Sequence, residues 1–439
     1  MPPSMPHRRT PTELRALLQQ QGLRRGYWIW DAEQRRVRAS HPALAPLGRW
    51  LEEGCSDFDG HEGFFIELGR QSQALLGACV HRSVRGQGAG GVRLWPYESV
   101  AALLRDGLRL SRGMTHKNAL AELWWGGGKG VVAREDDRPL RDPAARRLIY
   151  KDYGDFITGL RGCYVTAEDA GTRVDDMAAV FTRTRFTTCI PAALGGSGNP
   201  SVPTARGVVQ GMRAALDHLG KGPLAGRRVA VQGLGHVGTA LVGFLLEAGV
   251  AGIIGGDIDG ARIAALRETW RDAPITLHHI GGDAMASAVL AADVDIFAPC
   301  AGGGGLHADS IAQLRAPIVC GAANNQLAEP ADDARLAAAG ITYVPDFLVN
   351  RMGIVTCADE QAGYLHPDPA IERHLGREWD NSIYNLTRRV LADAEAQGQP
   401  PGAVALALAE ERSRVPHPIW GHRGAAIIRG LVADGWVDG

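Results

Sequence analysis

Lys117 and Lys129 stand twelve positions apart in HKNALAELWWGGGKGVV, and the second is set among Gly126, Gly127, Gly128 and Gly130. Two amines in one cleft have a definite chemistry. A free lysine titrates near ~10.4. A second cation and loss of water both disfavour the charged form, bringing it toward roughly 7 or 8, where the amine can act as a general base. The bland alternative is two unrelated, solvated lysines. A phosphate-loop reading fails, because Gly130 follows the lysine where that motif needs Ser or Thr, and the four-residue spacer is absent. The run instead reads as a glycine turn entering a strand at Val131, its glycines leaving room for a ligand.

A second constellation is Gly233-Leu234-Gly235-His236-Val237-Gly238, a G-x-G-x-x-G. Alone it is weak in a chain with 57 glycines, but its context is right. The apolar run RRVAVQ ends at Gln232, and Val237, Leu241, Phe244 and Leu245 follow at one-face helical spacing. The next apolar run ends in Asp257, nineteen residues beyond Gly238. Glycines let the backbone turn and approach a pyrophosphate, whose charge the helix N-terminus favours. The acid accepts from the ribose hydroxyls and repels a 2′-phosphate, which favours NAD over NADP without settling it. The alternative is a strand-turn-helix that binds nothing.

These groups need elements to position them. At 439 residues the chain exceeds the size of one growing core, so two domains are expected. GFFIELG and QALLGACVHR read as two strands, and Ser99 to Trp124 as a helix. From RRVAVQGLG onward, short apolar runs (AGIIGGD, DIFAPC, PIVCGAAN, ITYVPDF) alternate with helical stretches, which implies a parallel, doubly wound sheet. Residues after about 370 read as helices, broken near 400, and Gly, Ser and Pro clustered at 195–203 mark a boundary. The first 60 residues read as peripheral.

Net charge is −1, so there is no electrostatic case for nucleic acid or a membrane surface; a small molecule or another copy of the chain is the expected partner. Seven scattered cysteines without a C-x-x-C pair argue against a disulfide framework or structural zinc, and no metal is expected. Neither a signal-type apolar region nor a run of 18 apolar residues occurs, so a cytoplasmic location is expected.

MTHKNALAELWWGGGKG resembles the substrate segment of the Glu/Leu/Phe/Val dehydrogenase family, closest to its leucine and phenylalanine branches. In the same order AGGVRLWPY, YVTAEDAGT, GSGNPSVPTARGVVQGM, VQGLGHVG, FAPCAGG and GAANNQL resemble further family segments, from about residue 62 to the C-terminus. The resemblance implies an α/β architecture: an N-terminal substrate and oligomerisation domain, a Rossmann-type dinucleotide-binding domain, and a cleft between them. It places an N-terminal extension at 1–60, the substrate domain at 61–198, the NAD domain at 199–394 and returning helices at 395–439. It also implies a homo-oligomer.

Carried over position by position, Lys117 would bind the substrate α-carboxylate and Lys129 would activate the water that attacks an imino carbon. Asp169 would handle the amino-group proton. Gly90 and Gly91 would form the pocket segment, and Asn325 would contact substrate. Gly233 to Gly238, Asp257, Thr204, Cys300, Ala301 and Asn324 would hold the cofactor. The implied reaction is oxidative deamination of an L-amino acid to a 2-oxo acid, ammonia and NADH, with domain closure to exclude water.

Three positions depart from the family. Ala89 stands where glutamate-specific members carry a lysine and leucine-type members a larger apolar residue, which points to a bulky apolar or aromatic side chain. Asn350-Arg351-Met352-Gly353 replaces the usual Asn-Ala-Gly-Gly, ahead of the pocket positions Ile354 and Cys357. Arg351 either forms a structural ion pair or reaches the pocket to recruit an acidic or oxygen-rich group. Trp124 and Trp125 precede the glycine run and are expected to pack as core beneath it. A non-catalytic NAD-binding relative is the remaining alternative.

Overall fold

The computed structural model describes residues 5–281, 288–363 and 367–439. The chain divides into two compact units: Met1–Asn199 with Cys357–Tyr364 and Glu410–Gly439, and Pro200–Thr356 with Leu365–Ala409.

The first unit holds strands β1 (Arg25–Asp31), β2 (Arg36–Ala39), β3 (Gly63–Leu68), β4 (Leu75–Arg82), β5 (Gly88–Ala89), β6 (Val92–Trp95), β7 (Gly126–Ala133) and β8 (Tyr164–Val165). They form one mixed sheet in the order β2-β1-β3-β4-β7-β5-β8, with β6 pairing β7. Helix α1 (Pro11–Gln20) starts in a capping box between Thr10 and Glu13, and α2 spans Ala45–Gly54.

Residues 11–55 are integral to this unit rather than peripheral. β1 pairs antiparallel with β3, and Leu14, Leu18, Trp28, Leu44 and Leu51 share a core with Phe64, Leu104 and Val131. Burying side chains of this size stabilises by about 1.5–3 kcal/mol each. Trp28 sits in the aromatic run Tyr27-Trp28-Ile29-Trp30, and its indole N–H donates to the Leu44 carbonyl at 3.0 Å, which lets the ring go inside.

Helix α3 (Val100–Leu120) begins where the Ser99 hydroxyl accepts from the Ala102 amide at 3.1 Å. Val100, Leu103, Leu104 and Leu108 recur at helical spacing and are buried against the sheet core. Its C-terminal turns carry Lys117 to β7. Helices α4 (Pro143–Gly159) and α5 (Val174–Phe181) complete this part of the unit.

The second unit opens with α6 (Ser201–His218) and contains β9 (Arg228–Gln232), α7 (His236–Glu247), β10 (Gly252–Asp257), β11 (Ile275–His279), β12 (Ile296–Pro299), β13 (Ile318–Val319) and β14 (Thr342–Tyr343). The order β11-β10-β9-β12-β13-β14 is parallel throughout. That is the doubly wound dinucleotide-binding order, with its reversal between β9 and β12. Among the described residues no helix is long and apolar enough to cross a membrane.

Candidate active site

The glycines around Lys129 are not a turn. All of Gly126 to Ala133 is strand β7, buried on both faces. A Cβ built on Gly127 would lie 2.0 Å from Thr115 Oγ1 and 2.2 Å from the Ser111 carbonyl, so α3 rides directly on the strand backbone. On the opposite face a Cβ on Gly128 would meet the Tyr164 ring at 2.6 Å, and one on Gly130 the Tyr153 hydroxyl at 2.0 Å. The space beside these glycines is therefore filled by protein, not left for a ligand. Turn statistics mislead here because close approach of another element selects glycine as strongly as a positive φ does.

Lys129 faces Cys79 across the β4–β7 ladder, and directly opposed residues project from the same face. The Ser111 hydroxyl of α3 donates to Cys79 Sγ at 3.3 Å, so Lys129 rises on the α3 side. There Asn118 Nδ2 donates to the Gly126 carbonyl at 2.6 Å and pins the last turns of α3, with Lys117, to the strand. Both lysines are buried, Lys129 at 2% and Lys117 at 9% exposure. Two solvated surface lysines are excluded.

The Lys129 ammonium contacts the Asp169 carboxylate. Asp169 also receives Arg93 Nε at 3.1 Å on Oδ1, and the Ala170 amide donates to the same oxygen at 2.7 Å. Arg93 continues to Asp106 of α3 at 3.0 Å, where the Tyr97 hydroxyl donates at 2.7 Å. Burial lowers the Lys129 pKa, and Arg93 adds to this; Asp169 acts against it. Burial pushes the Asp169 carboxyl up, but Lys129 and Arg93 override it and hold the group well below the ordinary carboxylate range. Neighbouring Glu168 goes the other way, to about 7, through burial and the charges of Asp176 and Asp169.

Arg93, Asp106 and Tyr97 had no assignment from sequence. Arg93 and Tyr97 lie inside AGGVRLWPY, and Asp106 is an acid among the apolar positions of α3; the available signal was a charge on an otherwise apolar pattern.

Ala89 is buried in β5 beside Gly127. The pair after it is glycine from crowding: a Cβ on Gly90 would lie 2.0 Å from the Gly128 carbonyl, and one on Gly91 2.7 Å from Asp169 Cβ. Cys357 belongs to the same unit, its Sγ 3.3 Å from that of Cys189.

In the second unit, Gly233 adopts φ +94°, which favours glycine, and a Cβ there would strike Ala301. A Cβ on Gly238 would lie 1.9 Å from the Gly233 carbonyl, so this glycine brings α7 onto the turn. Gly235 differs: nothing lies within 4 Å of the position its Cβ would take. That open ground borders the N-terminus of α7, where His236 is exposed and Val237 half-buried while Leu234 is buried. Asp257 ends β10; its carboxylate accepts from the Leu234 amide at 2.7 Å and pairs with Arg262 at 3.2 Å. Cys300 and Ala301 follow β12 at the same end of the sheet, the Cys300 amide donating to the Gln232 carbonyl at 2.7 Å. The residues present fit a dinucleotide: an open approach at Gly235, a helix N-terminus for anionic charge and an acid for ribose hydroxyls.

Asn324 Oδ1 accepts from Asn350 Nδ2 at 2.9 Å, and Asn325, at φ +53°, donates its amide to Asp346 at 2.8 Å. The Thr204 hydroxyl donates to the Pro200 carbonyl at 2.8 Å and would lie 3.0 Å from a Cβ on Gly353. Ile354 is buried. Arg351 is fully buried and donates to the Asn381 carbonyl, and Met352 packs against Gly207 of α6. The two tryptophans separate: Trp125 is core, whereas Trp124 is 43% exposed, because the strand that begins at Gly126 turns only the second ring inward. Among the described residues no group of three or more His, Cys, Asp or Glu could hold a metal ion.

Two family models and several known proteins are similar to this chain. Residues 195–415 match the family model described as Glutamate/Leucine/Phenylalanine/Valine dehydrogenase, and residues 76–186 match the Glu/Leu/Phe/Val dehydrogenase dimerisation domain. Valine dehydrogenase of Streptomyces coelicolor is 38% identical over 83% of this chain and 95% of its own length. Leucine dehydrogenase of Bacillus subtilis is 39% identical over 76% of this chain and 86% of its own. The crystal structure of L-tryptophan dehydrogenase from Nostoc punctiforme superposes with a TM-score of 0.63 at 31% identity, covering 81% of this chain and 96% of that one.

Proposed function

From the premise that the chain belongs to the Glu/Leu/Phe/Val dehydrogenase family and is an amino-acid dehydrogenase, we propose that it deaminates an L-amino acid with an apolar or aromatic side chain, using NAD and water and releasing the 2-oxo acid, ammonium and NADH. The observation that carries this reading is the contact of the buried Lys129 with Asp169, beside the end of α3 that bears Lys117.

Lys117 binds the substrate α-carboxylate, a point charge matched to an anion. Lys129, its pKa lowered by burial, takes a proton from the water that attacks the imino carbon. The Lys129 ammonium so formed stabilises the developing charge of the carbinolamine, and Asp169 balances the ammonium. Asp169, ionised at rest, takes the proton that the substrate amino group gives up before hydride transfer and returns it to the departing ammonia. When bound, the dinucleotide accepts the hydride from Cα. Gly233 to Gly238, Asp257, Thr204, Cys300, Ala301 and Asn324 hold it, and Asn325 meets the substrate. Asp257 supports NAD rather than NADP, since its carboxylate opposes a 2′-phosphate.

Ala89, Ile354 and Cys357 are each assigned to the substrate side chain by the family positions they match. The small residue at 89 supports a larger apolar substrate and offers no cation to a glutamate side chain. Arg351, committed to the Asn381 carbonyl, supports this over the acidic-substrate alternative. A homo-oligomer in the cytoplasm is part of the same reading: the match to a dimerisation domain and the hetero-hexameric glutamate dehydrogenase from Thermus thermophilus, 26% identical with a TM-score of 0.64, support association.

The test is a panel of L-valine, L-leucine, L-phenylalanine, L-tryptophan and L-glutamate with NAD and with NADP, followed by absorbance of the reduced cofactor. Apolar and aromatic substrates should exceed glutamate in kcat/KM by about 100-fold or more. Preference for glutamate would end the substrate reading, and no turnover of any amino or 2-oxo acid would favour a non-catalytic relative.

A further inference from the structure

We infer that Trp124 and the turn carrying Ile419 and Trp420 form the face on which this chain binds a second copy of itself. The inference rests on the self-association proposed above and adds which surface carries it. Large apolar side chains are costly to leave in water, and contiguous exposed ones mark interaction sites. In the first unit Ile419 is 76%, Trp420 58%, Val415 47% and Trp124 43% exposed.

These side chains are neighbours. The Trp124 ring lies 5.2 Å from His417, and His417 6.3 Å from Trp420. The turn is held in place rather than loose. The His417 amide donates to the Val84 carbonyl at 3.1 Å, and the Gly421 amide closes the turn onto the His417 carbonyl at 2.9 Å. His417 Nδ1 accepts from the amides of both Ile419 and Trp420 at 3.1 Å. The Arg85 guanidinium lies 4.4 Å over Trp124, and that of Arg423 5.2 Å over Trp420. A preordered face loses little further entropy on association, and tryptophans flanked by arginines are the commonest hot-spot composition.

A second copy is the occupant that fits. Val84, Arg85 and Trp124 lie within the residues that match the dimerisation domain, so the patch is continuous with that region. Its rim carries both signs, with Arg414 at 69% and Glu122 at 44% side-chain exposure, as a two-fold contact of one surface with itself requires. The two tryptophans offer on the order of 200 Å² between them. That is about a quarter of the ~800 Å² per partner of a standard interface, a suitable size for its centre.

Sedimentation equilibrium of the full chain, Ile419→Glu and Trp420→Ala at micromolar concentration tests this, with far-UV circular dichroism to verify folding. The natural chain should sediment as a multiple of its mass, and each variant should self-associate at least about 30-fold more weakly. Hydrogen exchange of the natural chain supplies a second readout, in which the amides of residues 415–424 should gain protection with concentration. If the natural chain associates while both variants associate equally, or the segment gains no protection, this surface is wrong and self-association stands. A natural chain that is monomeric throughout overturns both.

Discussion

Arg93 Nε stands 3.1 Å from Oδ1 of Asp169, the carboxylate that Lys129 also contacts. Two cations thus share one half-buried acid. Arg93→Gln removes one of them, so the Asp169 carboxyl becomes harder to ionise and the acid limb of the kcat profile moves to higher pH. Turnover at neutral pH should fall about 10–100-fold, equivalent to a charged hydrogen bond of ~1.5–3 kcal/mol. An unmoved acid limb would separate Arg93 from Asp169.

Lys129 must lose its proton to act as a base. Its pKa is lowered by burial, so activity should rise with pH below the ordinary lysine range. Lys129→Ala should cost roughly 10²–10⁴ in kcat while NADH binding, followed by fluorescence, is unchanged. Retention of full turnover refutes the role given to this amine.

The glycines divide into two kinds, and alanine scanning should reveal it. Gly130→Ala puts a Cβ 2.0 Å from the Tyr153 hydroxyl and should destabilise the fold by about 1–3 kcal/mol, read as a lower urea midpoint. Gly235→Ala meets no neighbour and should leave the midpoint unchanged while weakening NADH binding. Equal midpoints for Gly130→Ala and the natural chain would contradict the packing.

Acid should loosen the first unit through two histidines. His61 is buried, and with His81 beside it its pKa falls to about 3; His81 is also lowered, mainly by burial. The unfolded chain takes up these protons below about 6.5 whereas the folded chain refuses them. Their neutral forms therefore leave stability intact above that pH, and it is lost as pH falls from there toward about 3. Urea unfolding at pH 7 and pH 5 should show the decline, and His61→Gln should flatten it. A decline of equal slope in that variant would show that other groups dominate.

Much of the second unit was legible because its signals are local. Strand, glycine turn, helix and terminal acid follow one another within thirty residues, and each step is a short-range constraint: backbone freedom at Gly233, helical spacing from Val237, a strand ending in Asp257. The first unit was less legible. The leucine and aromatic positions before residue 60 read as peripheral although they join the core, since pairing of β1 with β3 is not a local signal.

Residue type and order alone marked two lysines around a glycine run and a dinucleotide turn, and the family resemblance added the acid at Asp169. Only the tertiary structure decided that both lysines are buried, that Lys129 meets Asp169 and that Arg93 and Asp106 extend the pair into a network. It also decided that Gly127, Gly128 and Gly130 belong to a strand. The reason is physical: a glycine or a charge looks the same along the chain whether it faces water or another element, and Thr115, Tyr153 and Tyr164 come against β7 only when the sheet and α3 are assembled.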